Sequence, residues 1–212
     1  MVILGVGLRA SPNRPSTVVA LECQSKVAFM NSFGDDDDLA QMAQSLDPQL
    51  IAIGAPLGLP SGLSCLETSC PCTFDVPQRK GRLLELELSR MGISCFFTNK
   101  GSIIRSLIYR GIALSQRLRE LGFEVIETYP HATKVLLFGD RIPPKNSAAS
   151  LAFMKERLTP LIDGLSPHLD GLDRNGCDAL LNAYTGLLHS KNATDVLGSP
   201  EEGTLVLPKL PR

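Results

Sequence analysis

Two acidic residues stand where a chain could carry out metal-assisted or acid–base chemistry. Glu127 closes the run Phe123-Glu124-Val125-Ile126-Glu127 just ahead of Tyr129-Pro130, and Asp178 follows Asn175-Gly176 in the first turn of a helix read over 176–189. Carboxylates carried on separate elements and brought to one point can hold a divalent cation or share general acid and base roles. Each also has a plain structural reading, as a strand-end carboxylate for Glu127 and as an acid favoured by the helix dipole for Asp178. His131, directly after Pro130, is a candidate general acid or ligand, or a structural histidine opening a helix.

The chain has six cysteines, of which Cys65, Cys70 and Cys72 form a C-x4-C-x-C pattern with Cys95 as a fourth thiol further on. Thiolates select soft cations, so a structural zinc ion on these four residues is one reading. Reduced thiols in a packed loop and a reversible disulfide between neighbours are the others, because the spacing differs from paired C-x2-C knuckles. Cys23 and Cys177 lie in apolar surroundings and read as core fillers.

A third set is basic. Arg9, Arg14, Arg79, Lys80, Arg82, Lys100, Arg105, Arg110, Lys134 and Lys145 fall in segments expected to border one edge of a sheet. Such side chains supply phosphate contacts to nucleic acid or to a phosphorylated small molecule. The competing reading is that they are solvated partners of nearby glutamates, as in Arg82, Glu85, Glu87 and Arg90. Overall charge does not decide it, since 21 basic and 22 acidic residues leave a net charge of -1, with no global pull toward a polyanion or an anionic membrane. Tryptophan is absent and tyrosines number 3, which removes the easiest route to single-strand binding by stacking.

The elements that must position these groups follow from periodicity. Residues 2–8, 16–22 and 26–33 are β-rich runs separated by turn residues, the spacing of an antiparallel meander. The acidic run Asp35-Asp36-Asp37-Asp38 caps a helix whose stripe is Leu39, Met42, Ala43 and Leu46. Residues 50–53 are wholly apolar and bounded by prolines, which predicts a buried strand beside the first and parallel to it. A Gly-, Pro-, Ser- and Cys-rich loop spans about 55–78, of a length that is usually functional or metal-tied. Helices are expected at 82–91, 103–121, 132–138, 147–164 and 176–189, a strand at 123–127, and an edge strand or tail at 204–207.

With 212 residues, 43% of them hydrophobic, and no linker-like stretch, the chain reads as one domain over 1–212. The longest nearly apolar stretch, 50–59, falls short of the roughly 20 residues a membrane span needs. Met1 leads into a strand with no basic leader, so a soluble, cytoplasmic protein is expected. The element order is that of the α/β RNase H-like fold, one of a few the pattern admits. Its expected form is a mixed five-stranded sheet, an antiparallel meander plus parallel strands, flanked by helices.

The residues also resemble a known family, the predicted RNase H-like nucleases called domain of unknown function 429. The resemblance is carried by Gly5-Val6-Gly7-Leu8-Arg9-Ala10-Ser11-Pro12-Asn13-Arg14-Pro15-Ser16, Ile53-Gly54-Ala55-Pro56-Leu57 and Arg105-Ser106-Leu107-Ile108-Tyr109-Arg110-Gly111-Ile112. It continues in Glu127-Thr128-Tyr129-Pro130-His131, Cys177-Asp178-Ala179-Leu180 and Glu202-Gly203-Thr204. It implies a centre that uses magnesium or manganese, with acids at the ends of the first and fourth strands and on the last helix. The family's two strand-end aspartates fall on Gly7 and Gly54, while Glu127 and Asp178 remain. A scaffold that binds nucleic acid or a phosphorylated ligand, with hydrolysis lost or reduced, is therefore expected.

Two rivals stay open: an active divalent-metal nuclease built on Glu127 and Asp178, and a nucleotide-binding protein of the fold's kinase-like branch. In the second, backbone N–H groups at Gly5-Val6-Gly7 and Gly54-Ala55-Pro56 cradle phosphate. An aspartate restored at position 7 or 54 is expected to face Glu127 and Asp178.

Overall fold

In the first strand, β1 (Val2–Gly7), Leu4 and Val6 belong to one apolar cluster and Ile3 to another, and all residues from Ile3 to Gly7 are buried. A strand without polar alternation needs cover on both faces. The computed structural model, which describes residues 1–11, 13–76, 79–139, 142–144 and 147–209, supplies it. β1 pairs antiparallel with β2 (Ser16–Glu22), and β2 with β3 (Val27–Phe33), completing the expected meander. β4 (Leu50–Ile53) lies on the other side of β1 and parallel to it, with Val6 opposite Ile53. β5 (Val125–Thr128) continues in parallel beside β4.

The sheet then exceeds the expected five strands. Its order is β3-β2-β1-β4-β5-β7-β6, seven strands among the described residues. β6 (Thr194–Ser199) and β7 (Gly203–Pro208) form a hairpin whose second strand pairs parallel with β5. Leu205, Val206 and Leu207 are buried there, so the segment read as an edge strand or tail is an internal strand. β6 escapes pattern reading because Thr-Asp-Val-Leu-Gly-Ser has no buried residue and bends at Gly198, where φ is 90°. Such a sequence carries the weak alternation of an outer strand.

One face of the sheet is covered by α1 (Asp36–Leu46) and α3 (Arg105–Glu120), which bring Leu39, Ala43, Leu114 and Leu118 onto Leu4, Val6 and Ile53. The other carries α6 (Arg174–Ser190) and α5 (Ala148–Leu158), whose Leu180, Ala183, Met154 and Leu158 join Val19 and Leu21. α2 (Leu83–Arg90) and α4 (Pro130–Phe138) pack with Leu205 and Leu207. α5 stops at Leu158, short of the expected 164, two residues ahead of Pro160, which cannot continue a helix. α6 begins at Arg174 rather than 176, and its N-cap is Asp173, whose Oδ1 accepts from the Gly176 N–H at 2.8 Å. Asp178 therefore lies in the second turn, and the dipole-favoured acid is Asp173. Among the described residues no helix is long and apolar enough to cross a membrane.

Candidate functional site at the strand ends

Strands β1, β4 and β5 run parallel and finish at one edge, the place where open α/β sheets form their crevices. A cleft of about 510 Å³ opens there. Its wall takes Leu8 after β1, Gly54, Ala55 and Pro56 after β4, and Glu127, Thr128 and Tyr129 at the end of β5. His131 and Lys134 come from α4, Asp178 from α6, and Arg82 and Glu85 from the start of α2. The structure thus brings Glu127, Asp178, His131, Arg82, Lys134 and Cys95 to the same cleft as Gly54.

Both oxygens of Glu127 are engaged. Arg82 donates from Nη1 to Oε2 and from Nη2 to Oε1, each at 2.7 Å, and the Leu57 N–H donates to Oε2 at 2.7 Å. The same guanidinium donates from Nε to Glu85 Oε1 at 3.1 Å. Glu85 in turn accepts from the Thr98 N–H at 2.7 Å and from the Arg82 N–H at 3.1 Å, a reach back to the helix N-cap. Arg82, expected to be a phosphate contact or a solvated helix charge, is instead 1% exposed and set between two buried carboxylates. Burial works against its charge, but Glu127 and Glu85 outweigh that and hold its proton more tightly than in water.

The glycine positions are filled from the last helix. A Cβ on Gly54 would lie 2.4 Å from Asn182 Nδ2, and one on Gly7 would lie 2.6 Å from the Asn175 carbonyl oxygen and 3.0 Å from Asn175 Nδ2. Asn182, wholly buried, donates from Nδ2 to the Val6 carbonyl at 2.8 Å and accepts from Thr128 Oγ1 at 2.9 Å. Neutral amides thus occupy the space in which aspartates were expected to face Glu127 and Asp178. Asp178 is half-buried and lines the cleft together with a smaller crevice shared by Lys134, Ser150 and Arg174. Its charge, after burial and Cys95, contributes to raising the Tyr129 phenol to about 12, and that hydroxyl donates to the Ser94 carbonyl at 2.9 Å.

The remaining basic candidates disperse. Arg79 is tied to Glu202, Arg9 to Asp173, and Arg110 to Asp36 and the Arg9 carbonyl. Lys100 donates to the Cys70 carbonyl, Arg14 is exposed, and Lys145 lies outside the described residues. Lys134 differs: it is 8% exposed, lines the cleft, and has no hydrogen bond or ion pair among the described residues.

The cysteines also separate. Cys65, Cys70 and Cys72 converge, but Cys95 is not with them; its Sγ–H donates to the Glu85 carbonyl at 3.7 Å, and burial followed by the Glu85 charge pushes its thiol up to about 11. The four-cysteine set is corrected to three because Cys95 belongs to the Glu85 side of the cleft. Cys23 is exposed, not a core filler, while Cys177 is buried as expected.

Glu202, which opens the Glu202-Gly203-Thr204 motif, anchors the loop. Its Oε1 accepts from the Ser61 N–H at 2.8 Å and from Arg79 Nη1 at 2.7 Å, and its Oε2 accepts from the Leu83 N–H at 2.8 Å. Burial pushes its carboxyl up, but the Ser61 and Leu83 N–H groups and the Arg79 guanidinium outweigh it and hold it below its ordinary 4.5. The stabilisation is then full above that value and lost as pH falls through the lower, folded one. Glu202→Gln should cost about 2 kcal/mol at neutral pH and flatten the fall of the urea midpoint on acidification below about pH 5. An unchanged acid limb would remove Glu202 from the account.

No protein-family model matches the chain, and no curated protein does. Among solved structures it is similar to Thermus thermophilus RuvC, with a TM-score of 0.50 and 10% identity over 91% of this chain and 97% of that chain. The likeness is one of fold, and the fold is RNase H-like.

Proposed function

We propose that the chain binds a small phosphorylated ligand of the nucleotide class in the strand-end cleft and does not hydrolyse it by a two-metal route. The observation that carries this is Lys134, an ammonium held in the cleft with no acceptor among the described residues. An ammonium on the wall of a cleft is a ready donor and counter-charge for an anionic ligand. α4 starts at Pro130 on the same wall, so its N-terminal dipole favours an anion there. Leu84, Leu88, Ile104, Leu107 and Leu205 give an apolar lining, and Phe96, 56% exposed, offers a face for a base at the rim.

The volume is that of a small-molecule site. Most basic residues expected to track a nucleic acid backbone are spent on carboxylates or carbonyls within the chain, which favours the small ligand over a polymer. Magnesium or manganese, implied by the family resemblance, fits poorly. Hard cations need clustered oxygen ligands, whereas amides fill the Gly7 and Gly54 positions and Arg82 covers Glu127.

The test is thermal shift and calorimetry with nucleoside mono-, di- and triphosphates against single-stranded oligonucleotides, on the parent chain and on Lys134→Met. The parent should be stabilised by a nucleotide. The variant should lose about 10–100-fold in affinity, the value of one charge-assisted hydrogen bond. Manganese-dependent cleavage of DNA or RNA, abolished in Asp178→Asn, would overturn the reading in favour of the nuclease.

A further inference from the structure

The loop between β4 and α2 carries a second cluster, away from the cleft, that the ligand reading does not use. The Sγ atoms of Cys65, Cys70 and Cys72 all lie within 4.8 Å of one another, and those of Cys70 and Cys72 are 3.3 Å apart. All three thiols are free and half-buried. Three sulfurs bound to one ion at a metal–sulfur distance of about 2.3 Å would stand about 4 Å apart, a spacing reached here by small side-chain rotations.

The backbone that presents them is already held from two sides. The Tyr109 hydroxyl of α3 lies 2.6 Å from the Leu66 nitrogen and accepts its N–H, and the Leu66 carbonyl accepts from the Gly101 N–H at 2.9 Å. Lys100 donates to the Cys70 carbonyl and ties that residue to the segment preceding α3. Leu63, Leu66 and Ile108 form an apolar cluster against which Cys72 packs. The ordering that a metal would otherwise impose on 65–72 is thus largely made in advance, and preorganisation of this kind lowers the cost of binding.

We infer that Cys65, Cys70 and Cys72 form a three-thiolate site for a soft divalent cation of the zinc type, with the fourth coordination position open to solvent. Binding would displace thiol protons to solvent and form three metal–sulfur bonds, with no change of oxidation state. Cys95 takes no part, which separates this site from the four-cysteine centre that the sequence spacing allows.

The experiment uses the full chain, reduced and stripped with a chelator, titrated with zinc against a competing chromophoric chelator and, in parallel, with cobalt read by its thiolate charge-transfer absorption. One equivalent should bind, and the melting temperature should rise by several degrees and fall back on adding chelator. Cys72→Ser and Cys65→Ser should each lose at least 100-fold in affinity and lose the thiolate absorption, while Cys95→Ser should bind as the parent does. Metal-free melting of each variant close to the parent shows that it is folded. Absence of stoichiometric binding by the reduced parent, equal binding by Cys72→Ser, or a loss in Cys95→Ser matching that in Cys72→Ser would overturn the assignment. So would zinc-independent oxidation of the trio to a disulfide by peroxide in a chain that never takes up the metal.

Discussion

Arg82→Met should lower the free energy of unfolding by about 3–5 kcal/mol, the loss that follows when one partner of a buried ion pair is removed. Methionine approximates the length of the arginine stem and fills its space, so packing alone predicts little change. The charge does not. Glu127 and Glu85, 6% and 2% exposed, would keep their backbone N–H donors but lose the only cation that either contacts among the described residues. Because Glu127 still receives the Leu57 N–H, the start of the loop after β4 should stay tied to β5, and the loss falls on the charges.

A double-mutant cycle isolates the cause. Glu127→Gln in the Arg82→Met background removes one of the orphaned charges, so the double variant should be less destabilised than the two single losses added together. Urea midpoints read out all four corners. An Arg82→Met chain within about 1 kcal/mol of the parent would show that the buried pair contributes little, as replaced ion pairs sometimes do.

The same pair shows where sequence reading stops. The centre of the sheet is legible, because 2–8 and 50–53 are unbroken apolar runs that can be satisfied only by cover on both faces, and β1 beside β4 is the outcome. Arg82 and Glu85 are also visible as an i,i+3 pair, but local spacing reads them as a solvated helix surface. Their burial is decided by Glu127, 45 residues away on β5, and no periodicity carries that information. Asn182 is legible as part of a periodic pattern. Asn175, Asp178, Asn182 and Thr185 recur at intervals of three and four along an otherwise apolar helix, a polar stripe on the face that turns toward the strand ends. Glycine positions 7 and 54 could be identified by resemblance, whereas what fills the space they leave is a property of α6.

Gly54→Asp should cost about 3 kcal/mol, and millimolar magnesium or manganese should not restore it. Any Cβ at position 54 falls 2.4 Å from Asn182 Nδ2 and 3.1 Å from Pro130 Cγ, so the amide must move. Moving it breaks the bonds to the Val6 carbonyl and Thr128 Oγ1 inside the core, adding unsatisfied polar groups to the overpacking. Removing the obstruction should recover part of the loss: Gly54→Asp with Asn182→Ala should be more stable than the sum of the single effects predicts. Gly7→Asp should behave differently, because its Cβ would meet the Asn175 backbone carbonyl at 2.6 Å, and Asn175→Ala leaves that atom in place. The loss at position 7 should therefore resist a second-site change that relieves position 54. A Gly54→Asp chain whose melting temperature returns to the parent's on adding manganese would mean that the strand ends still assemble a cation site, and the amide-filled reading of the cleft would fail.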